Sequence, residues 1–389
     1  MSFDYQKFID VLATGPTVRP DLNARLFLHQ SAKLLILSYK NLDPNTQAIV
    51  SKDLRFIAKK VGNYKSCFVN SLLYALTKER KYLQKSLQIL RKLPVSLSGH
   101  TDDFWALSLS LRDSDGDGEL LWEAEERREY LAFLHAKAEE KAKETYTQVC
   151  GAGSVHKGFT DNPRVVLITS QLLAMGHAPT EIALNYARIL QKDHGKQVLL
   201  VNSCEYSSKA TGAIASSMNA NAMDNYSNFS SLTYEDETFG LFQPNPAICS
   251  DAGIQQCITK IDEFDPSLII VIGNSCSFAE AFLQRSYVIY SPTANAVPYV
   301  TNAKFHMHDA PREEHLATME KEGLQENYEF FLPGAYEVQT KRSSTTRDEL
   351  GLPEGRPVFI VVGNRLNYEV TEDFLSMLED ISSRSDAFF

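Results

Sequence analysis

From Asn162 onward, short uninterrupted runs of β-branched and aliphatic residues alternate with segments of helical periodicity, and this most constrains the fold. Val165-Val166-Leu167-Ile168-Thr169 shows none of the apolar–polar alternation of a half-exposed strand, so it is predicted to be buried on both faces. Glu181–Gly195 then has helical spacing, with Gly195 as its stop, and Gln197–Ser203 is a second buried strand. Strand, helix and parallel strand within about 40 residues make a βαβ unit and predict a doubly wound sheet. The alternation resumes with a helix near Gly253–Phe264, the strand Leu268–Gly273, the segment Ser277–Arg285 and the strand Tyr287–Ser291. Between the two halves, the Ser- and Asn-rich stretch Ser207–Ser231 is predicted to be a long surface loop.

Residues 1–150 read differently. Phe27–Leu42, Cys67–Lys78 and Tyr82–Leu93 space apolar residues every three or four positions, and no fixed helical repeat emerges. Leu120–Val149, laced with charge, is predicted to be a solvated helix closing a bundle. After Thr345 the α/β pattern restarts: Arg347–Pro353 leads into the strand Val358–Gly363, the helix Glu369–Ile381 and the opening of a further strand at Ser385–Phe389. A parallel domain cannot close its core with so few elements, so the last unit is expected to be the start of a longer one. The expected organisation is an all-α module over 1–150, a parallel-sheet domain over 160–340 and the beginning of a second such domain over 345–389.

Charge divides along the same line. The first hundred residues hold 16 Lys+Arg against 6 Asp+Glu, a net of +10, whereas the whole chain carries −10. The basic module suggests contact with an anionic partner such as a membrane surface, or simply a Lys-rich solvated helical face. Nucleic acid is not expected as a partner, because no aromatic stacking motif interleaves the basic residues and the remaining chain would repel phosphate. Met1–Asp10 lacks the basic and apolar regions of a secretion signal, and no apolar run is long enough to span a bilayer. The 6 cysteines are scattered without a CxxC pair, which fits a reducing compartment. The expected location is the cytoplasm, peripheral to the inner membrane surface if the basic module docks there.

Candidate functional residues lie after the strands, where open α/β sheets gather ligands. Gly176 lets backbone approach a ligand, and His177 beside it is either a base and hydrogen-bond donor or part of a helix-capping turn. Asn274 and Thr293 follow the next two strands, as cleft-lining groups or helix caps. Arg365, with Gly363 and Asn364, follows the last strand and suits bidentate phosphate binding, or pairing with a carboxylate such as Glu369.

Two other patterns raise metal chemistry. Asp113, Asp115 and Asp117 with Gly118 match the first half of an EF-hand loop, but Ala124 stands where the bidentate Glu belongs, so an exposed acidic connection is the competing reading. His306 and His308 form an H-x-H pair near His315, but no further ligand or supporting partner can be identified for zinc. No metal site is assigned from the sequence.

Two stretches, VVLITSQLLAMGHAPTEIALNYARILQ and RDELGLPEGRPVFIVVGNRLNYEVTEDFLSMLE, resemble the acceptor-side and donor-side openings of glycosyltransferases with two Rossmann-like domains, the GT-B fold. The resemblance covers roughly residues 163–389 and omits the helical extension. It implies transfer of a sugar from a nucleotide-sugar donor to a glycan or protein acceptor, without an obligatory metal or cofactor. By the same resemblance, Arg365 contacts the donor diphosphate, Gly363 and Asn364 shape the turn beside it, and Gly176 and the catalytic His177 lie near the acceptor. The family's remaining donor-site residues would fall beyond Phe389, so this chain alone is expected to be inactive. A non-catalytic interaction protein with a degenerate α/β part, or a sugar-nucleotide epimerase, are the alternatives.

Overall fold

The computed structural model describes residues 4–14, 21–94, 96–113, 121–156, 158–159, 161–173, 177–205, 212–215, 226–245, 250–273, 276, 278–291, 293, 303, 305–308, 328–331, 345–359 and 372–385. They fall into two units, Met1–Pro333 and Gly334–Phe389.

The first unit begins with helices α1 (Tyr5–Ala13), α2 (Leu22–Tyr39), α3 (Pro44–Ala58), α4 (Asn63–Thr77), α5 (Arg80–Leu90), α6 (Leu97–Ser110) and α7 (Ala124–Cys150). Local chemistry sets their starts. Asp4, Asp21 and Asp43 each cap a helix through a side-chain oxygen, and Pro44 occupies the first turn of α3, where no intrahelical N–H is required. Helix α4 is central: every residue from Tyr64 to Tyr74 is buried, so it packs on all sides rather than along one stripe. Around it gather Phe8, Leu12, Leu28, Leu54, Leu83, Phe104 and Trp122. The Trp122 indole N–H donates to Tyr74 Oη at 2.8 Å, so the largest ring in this core keeps its polar atom satisfied.

Helix α7 joins two cores. Leu131 and Leu134 belong to the helical one, whereas Ala142 and Tyr146 cover one face of a β-sheet. The expected solvated bundle helix therefore buries residues along most of its length, because a 27-residue helix reaches beyond the bundle it closes.

The sheet contains β1 (Arg164–Thr169), β2 (Gln197–Asn202), β3 (Ser231–Tyr234), β4 (Glu237–Phe242), β5 (Leu268–Ile272), β6 (Tyr287–Ser291), β7 (Phe305–His308) and β8 (Tyr328–Phe331), in the order β3-β4-β2-β1-β5-β6-β7-β8. Every neighbouring pair is parallel except the β3–β4 hairpin. The chain moves outward from β1 through β2 to β4, returns across β1 to β5, and continues outward the other way. This is the doubly wound pattern, with its direction reversing between β1 and β5. Alternate residues of the same strands fill two cores. Val166, Ile168, Ile269 and Val271 face α7 and α9 (Asp251–Phe264), while Val165, Leu167, Leu200 and Ile270 face α8 (Ala178–Lys192). Gly195, in the left-handed region at φ +61°, stops α8 as its sequence position predicts.

One further expectation is corrected. Within the predicted surface loop Ser207–Ser231, residues 212–215 are buried in the helical core. Asp103 Oδ1 accepts from the backbone N–H groups of Ala213 and Ile214 at 2.6 and 2.7 Å, and Ser71 Oγ accepts from Ala215 N at 2.8 Å. Small apolar residues fit there, and α4 and α6 supply the polar partners that a buried backbone requires. Among the described residues of 277–285, Ala279–Phe282 form a short 3₁₀ turn.

Among the described residues, no helix is long and apolar enough to cross a membrane. In the second unit, residues 345–359 form turns in which Arg347 Nη2 donates to Arg356 O at 2.6 Å, and α10 spans Glu372–Arg384. Most of the predicted strand Val358–Gly363 and of the expected strand at Ser385–Phe389 lies outside the described residues.

Candidate functional site at the carboxyl edge of the sheet

The carboxyl ends of β1, β2 and β5 meet in a polar cluster. After β1, Thr169 Oγ1 donates to Gln171 O at 2.8 Å. After β2, the Ser203 N–H donates to Thr169 O at 2.9 Å, tying the two strand ends together. The Ser203 hydroxyl lies 3.0 Å from Glu205 Oε2 and 3.3 Å from Thr169 O. Glu205 is fully buried, an expensive place for a carboxylate unless polar groups surround it. Cys276, past β5, is also buried; burial first and the Glu205 carboxylate second push its thiol well above the ordinary range. Cys204 holds a left-handed conformation at φ +55°, a backbone strain that fits a tight turn at a strand end. Further out, Asn202 Nδ2 donates to Gln243 Oε1 at 2.5 Å.

His177 stands at the N-cap of α8, with Nδ1 2.9 Å from Thr180 Oγ1. The Leu173 N–H donates to the same oxygen at 2.9 Å, so Thr180 anchors the chain leaving β1 and the imidazole together. Partial burial lowers the His177 pKa, opposed by the nearby Glu181 carboxylate, and the ring is therefore mainly neutral near pH 7. A neutral imidazole whose Nδ1 carries the proton donates it to Thr180 Oγ1 and leaves Nε2 as an acceptor or base. Tyr186 Oη lies 3.3 Å from Ser291 Oγ and links α8 to the end of β6. Thr293 is half-buried just beyond that strand. Gly176, Asn274, Gly363, Asn364 and Arg365 lie outside the described residues.

Sequence reasoning missed Ser203, Glu205, Cys276 and Gln243. The available signal was the run Asn202-Ser203-Cys204-Glu205, polar and charged immediately after a buried strand.

The candidate metal motifs separate. Asp113 pairs with Lys78 Nζ at 2.8 Å and its carbonyl accepts from Leu121 N at 2.9 Å, while residues 114–120 lie outside the described residues. His306 and His308 occupy alternate positions on β7; His315 and the side chains of that pair lie outside the described residues. A group not singled out from sequence is His135 and Glu139 of α7 with Glu280, whose ligand atoms lie within 4.8 Å of one another. Protein groups already engage it: His135 Nε2 is 3.0 Å from Glu280 Oε2, and Lys143 pairs with Glu139 at 2.5 Å. The His135–Glu280 contact joins α7 to the 3₁₀ turn after β5. No family model and no curated protein matches the chain, so the carboxyl edge itself carries the functional reading.

Proposed function

We propose that the chain carries the acceptor-side domain and the opening of the donor-side domain of a nucleotide-sugar-dependent glycosyltransferase of the GT-B type, acting on a glycan or protein hydroxyl. The observation that carries this reading is the doubly wound strand order, with its reversal between β1 and β5 and with His177 at the N-terminus of the helix that follows β1. His177 is the catalytic base of the proposal: with Nδ1–H donated to Thr180, Nε2 takes the acceptor proton as the sugar–oxygen bond forms. Gly176, Asn274 and Thr293 are assigned to the acceptor. Arg365, with Gly363 and Asn364 in the turn beside it, is assigned to the donor diphosphate, whose departing charge a guanidinium neutralises.

The basic helical region is proposed as a peripheral contact for an anionic membrane surface in the cytoplasm. Exposed Ile49 and Phe56 on α3 are accompanied by exposed Lys52, Lys59 and Lys60, an apolar-plus-basic face suited to a headgroup layer.

The test is sugar transfer by the protein as expressed from its native gene, with a panel of nucleotide sugars. His177→Ala is expected to lower kcat by about 10²-fold or more with little change in donor KM. Arg365→Ala is expected to lower kcat/KM by roughly 10²-fold or more. Wild-type rates in both variants would remove these residues from the reaction, and absence of transfer from every donor would favour an interaction protein.

A further inference from the structure

Where α4, α5, α6 and α7 meet the inserted segment 212–215, a cavity of about 390 Å³ opens to solvent. Exposed Asn63, Lys92, Pro94 and Asp251 border its mouth, and buried Tyr64, His100, Asp103 and Leu134 line it deeper down. His100 is only 7% exposed, and neither ring nitrogen has a hydrogen-bond partner. Buried polar atoms in this state are uncommon, because the group has given up water without replacement. The backbone of Leu134 acts on His100 as a weak hydrogen-bond partner, without the geometry to satisfy either ring nitrogen, and the ring of His135 acts on it electrostatically.

The remaining polar lining is of three kinds. Asp103 and Asp251 are carboxylates and can only accept. Asp103 is fixed by Ala213 N and Ile214 N, and Asp251 by Ser96 Oγ at 3.1 Å and Ser98 N at 3.0 Å. Lys137 can only donate: two of its three N–H groups go to Arg91 O and Leu93 O, both at 3.1 Å, which leaves one. His100, neutral in this setting, offers one donor and one acceptor. The two lysines balance the two aspartates, so the lining carries no net charge for an ionic ligand to neutralise. Leu90, Leu93, Pro94 and Leu134 supply apolar wall between these groups.

We propose that this cavity binds a small neutral saccharide. Acceptor-only, donor-only and mixed groups in one uncharged cavity call for a ligand whose own groups both donate and accept, as sugar hydroxyls do. The apolar wall matches the C–H face of a sugar ring. A nucleobase edge has fixed donors and acceptors, and a peptide terminus brings charge that the lining does not call for. The volume lies within the range of small-molecule sites. None of the lining residues belongs to the carboxyl-edge cluster, so this site stands independently of the transferase reading.

Saturation-transfer NMR on the full chain, with glucose, N-acetylglucosamine and lactose as probes and AMP and glycylglycine as comparisons, tests it. At least one saccharide is expected to receive saturation at its ring protons. His100→Phe keeps a ring of similar size and removes both nitrogens; it is expected to weaken that binding about tenfold or more. Leu93→Trp, which fills the cavity from a half-buried position, is the second variant and is expected to abolish the signal. Transfer that persists unchanged in a folded His100→Phe or Leu93→Trp variant would move the sugar to another site and overturn the assignment. Absence of transfer from all three saccharides, or transfer to AMP or glycylglycine alone, would overturn it as well.

Discussion

The core around the sheet and the core around α4 are built by different chemistry. In the sheet, aliphatic side chains alternate between two faces, and the strand ladder pairs most of the backbone, with side chains helping mainly at the strand ends. In the helical region, His29, Lys65, Asn70, Ser71, His100 and Asp103 are all buried among the apolar residues. Several of them, together with buried Tyr64, hold backbone from elsewhere in the chain: Tyr64 Oη and His29 Nε2 both donate to Gly212 O, the latter at 2.9 Å. Lys65 Nζ donates to Val11 O at 2.8 Å. The sheet is thus specified by pattern, and the helical core by particular polar partners. The second kind of core has more to lose when a partner or a protonation state changes.

Acid separates the two cores most strongly. Burial lowers the pKa of His29 from 6.5 to about 4 and that of His100 from 6.5 to about 3. Gly212 O partly opposes the shift at His29 by accepting its Nε2–H. Between these values and 6.5 the unfolded chain binds protons that the folded chain refuses, so stability rises with pH. The contribution is fully present above about pH 6.5 and is lost as pH falls toward 4, at no more than roughly 1.4 kcal/mol per pH unit from each histidine. Hydrogen exchange between pH 7 and 4.5 is expected to show α2, α4 and α6 losing protection well before β1, β2 and β5. Simultaneous loss in both cores would erase the contrast.

Asp103→Ala removes the acceptor for two buried N–H groups and is expected to cost about 4 kcal/mol, measured by urea unfolding. The sheet comparison is Arg285→Met. Arg285 is 2% exposed, reaches Asp262 and Asp265 through short contacts, and donates to Tyr146 Oη at 3.0 Å, so it fastens α7 and α9 beside the sheet. Its replacement leaves Asp262 without that partner and is expected to cost about 3 kcal/mol. A larger loss for Arg285→Met than for Asp103→Ala would mean that the sheet also depends on polar partners.

The same difference explains what the sequence reveals. β1, α8, β2, α9, β5 and β6 are legible because each is specified within its own segment: Val165–Thr169 is a short β-branched and aliphatic run of the kind a buried strand needs, and Gly195 marks the end of α8. Segment 212–215 is not legible. Its burial depends on Asp103 and Ser71, more than a hundred residues away, and its Ser- and Asn-rich neighbours read as a loop. Glu205 is hidden similarly: a charged residue after a strand normally faces water, and only the fold shows it enclosed beside Ser203 and Cys276. His177 was recognisable from its place between strand and helix, but its link through Thr180 to Leu173 depends on the local turn.

The smallest expected effect concerns the outer surface of the helical region, where its excess positive charge meets solvent. Much of that charge is internally neutralised: Lys78 pairs with Asp113, Arg80 with Glu126 and Arg91 with Glu129. Lys52 on α3 and Lys59 at its C-terminal cap are exposed, and Lys60 lies over the Phe56 ring with Nζ 3.9 Å from its centroid. If this face meets anionic lipid, Lys59→Ala removes about 1 kcal/mol of attraction and lowers vesicle binding roughly fivefold, while Phe56→Ser lowers it by removing the apolar contact. Co-sedimentation with phosphatidylserine–phosphatidylcholine vesicles at two salt concentrations is the measurement. Binding that is insensitive to both substitutions would leave the exposed basic charge as a solvated surface and restrict the specific chemistry of the helical region to its interior.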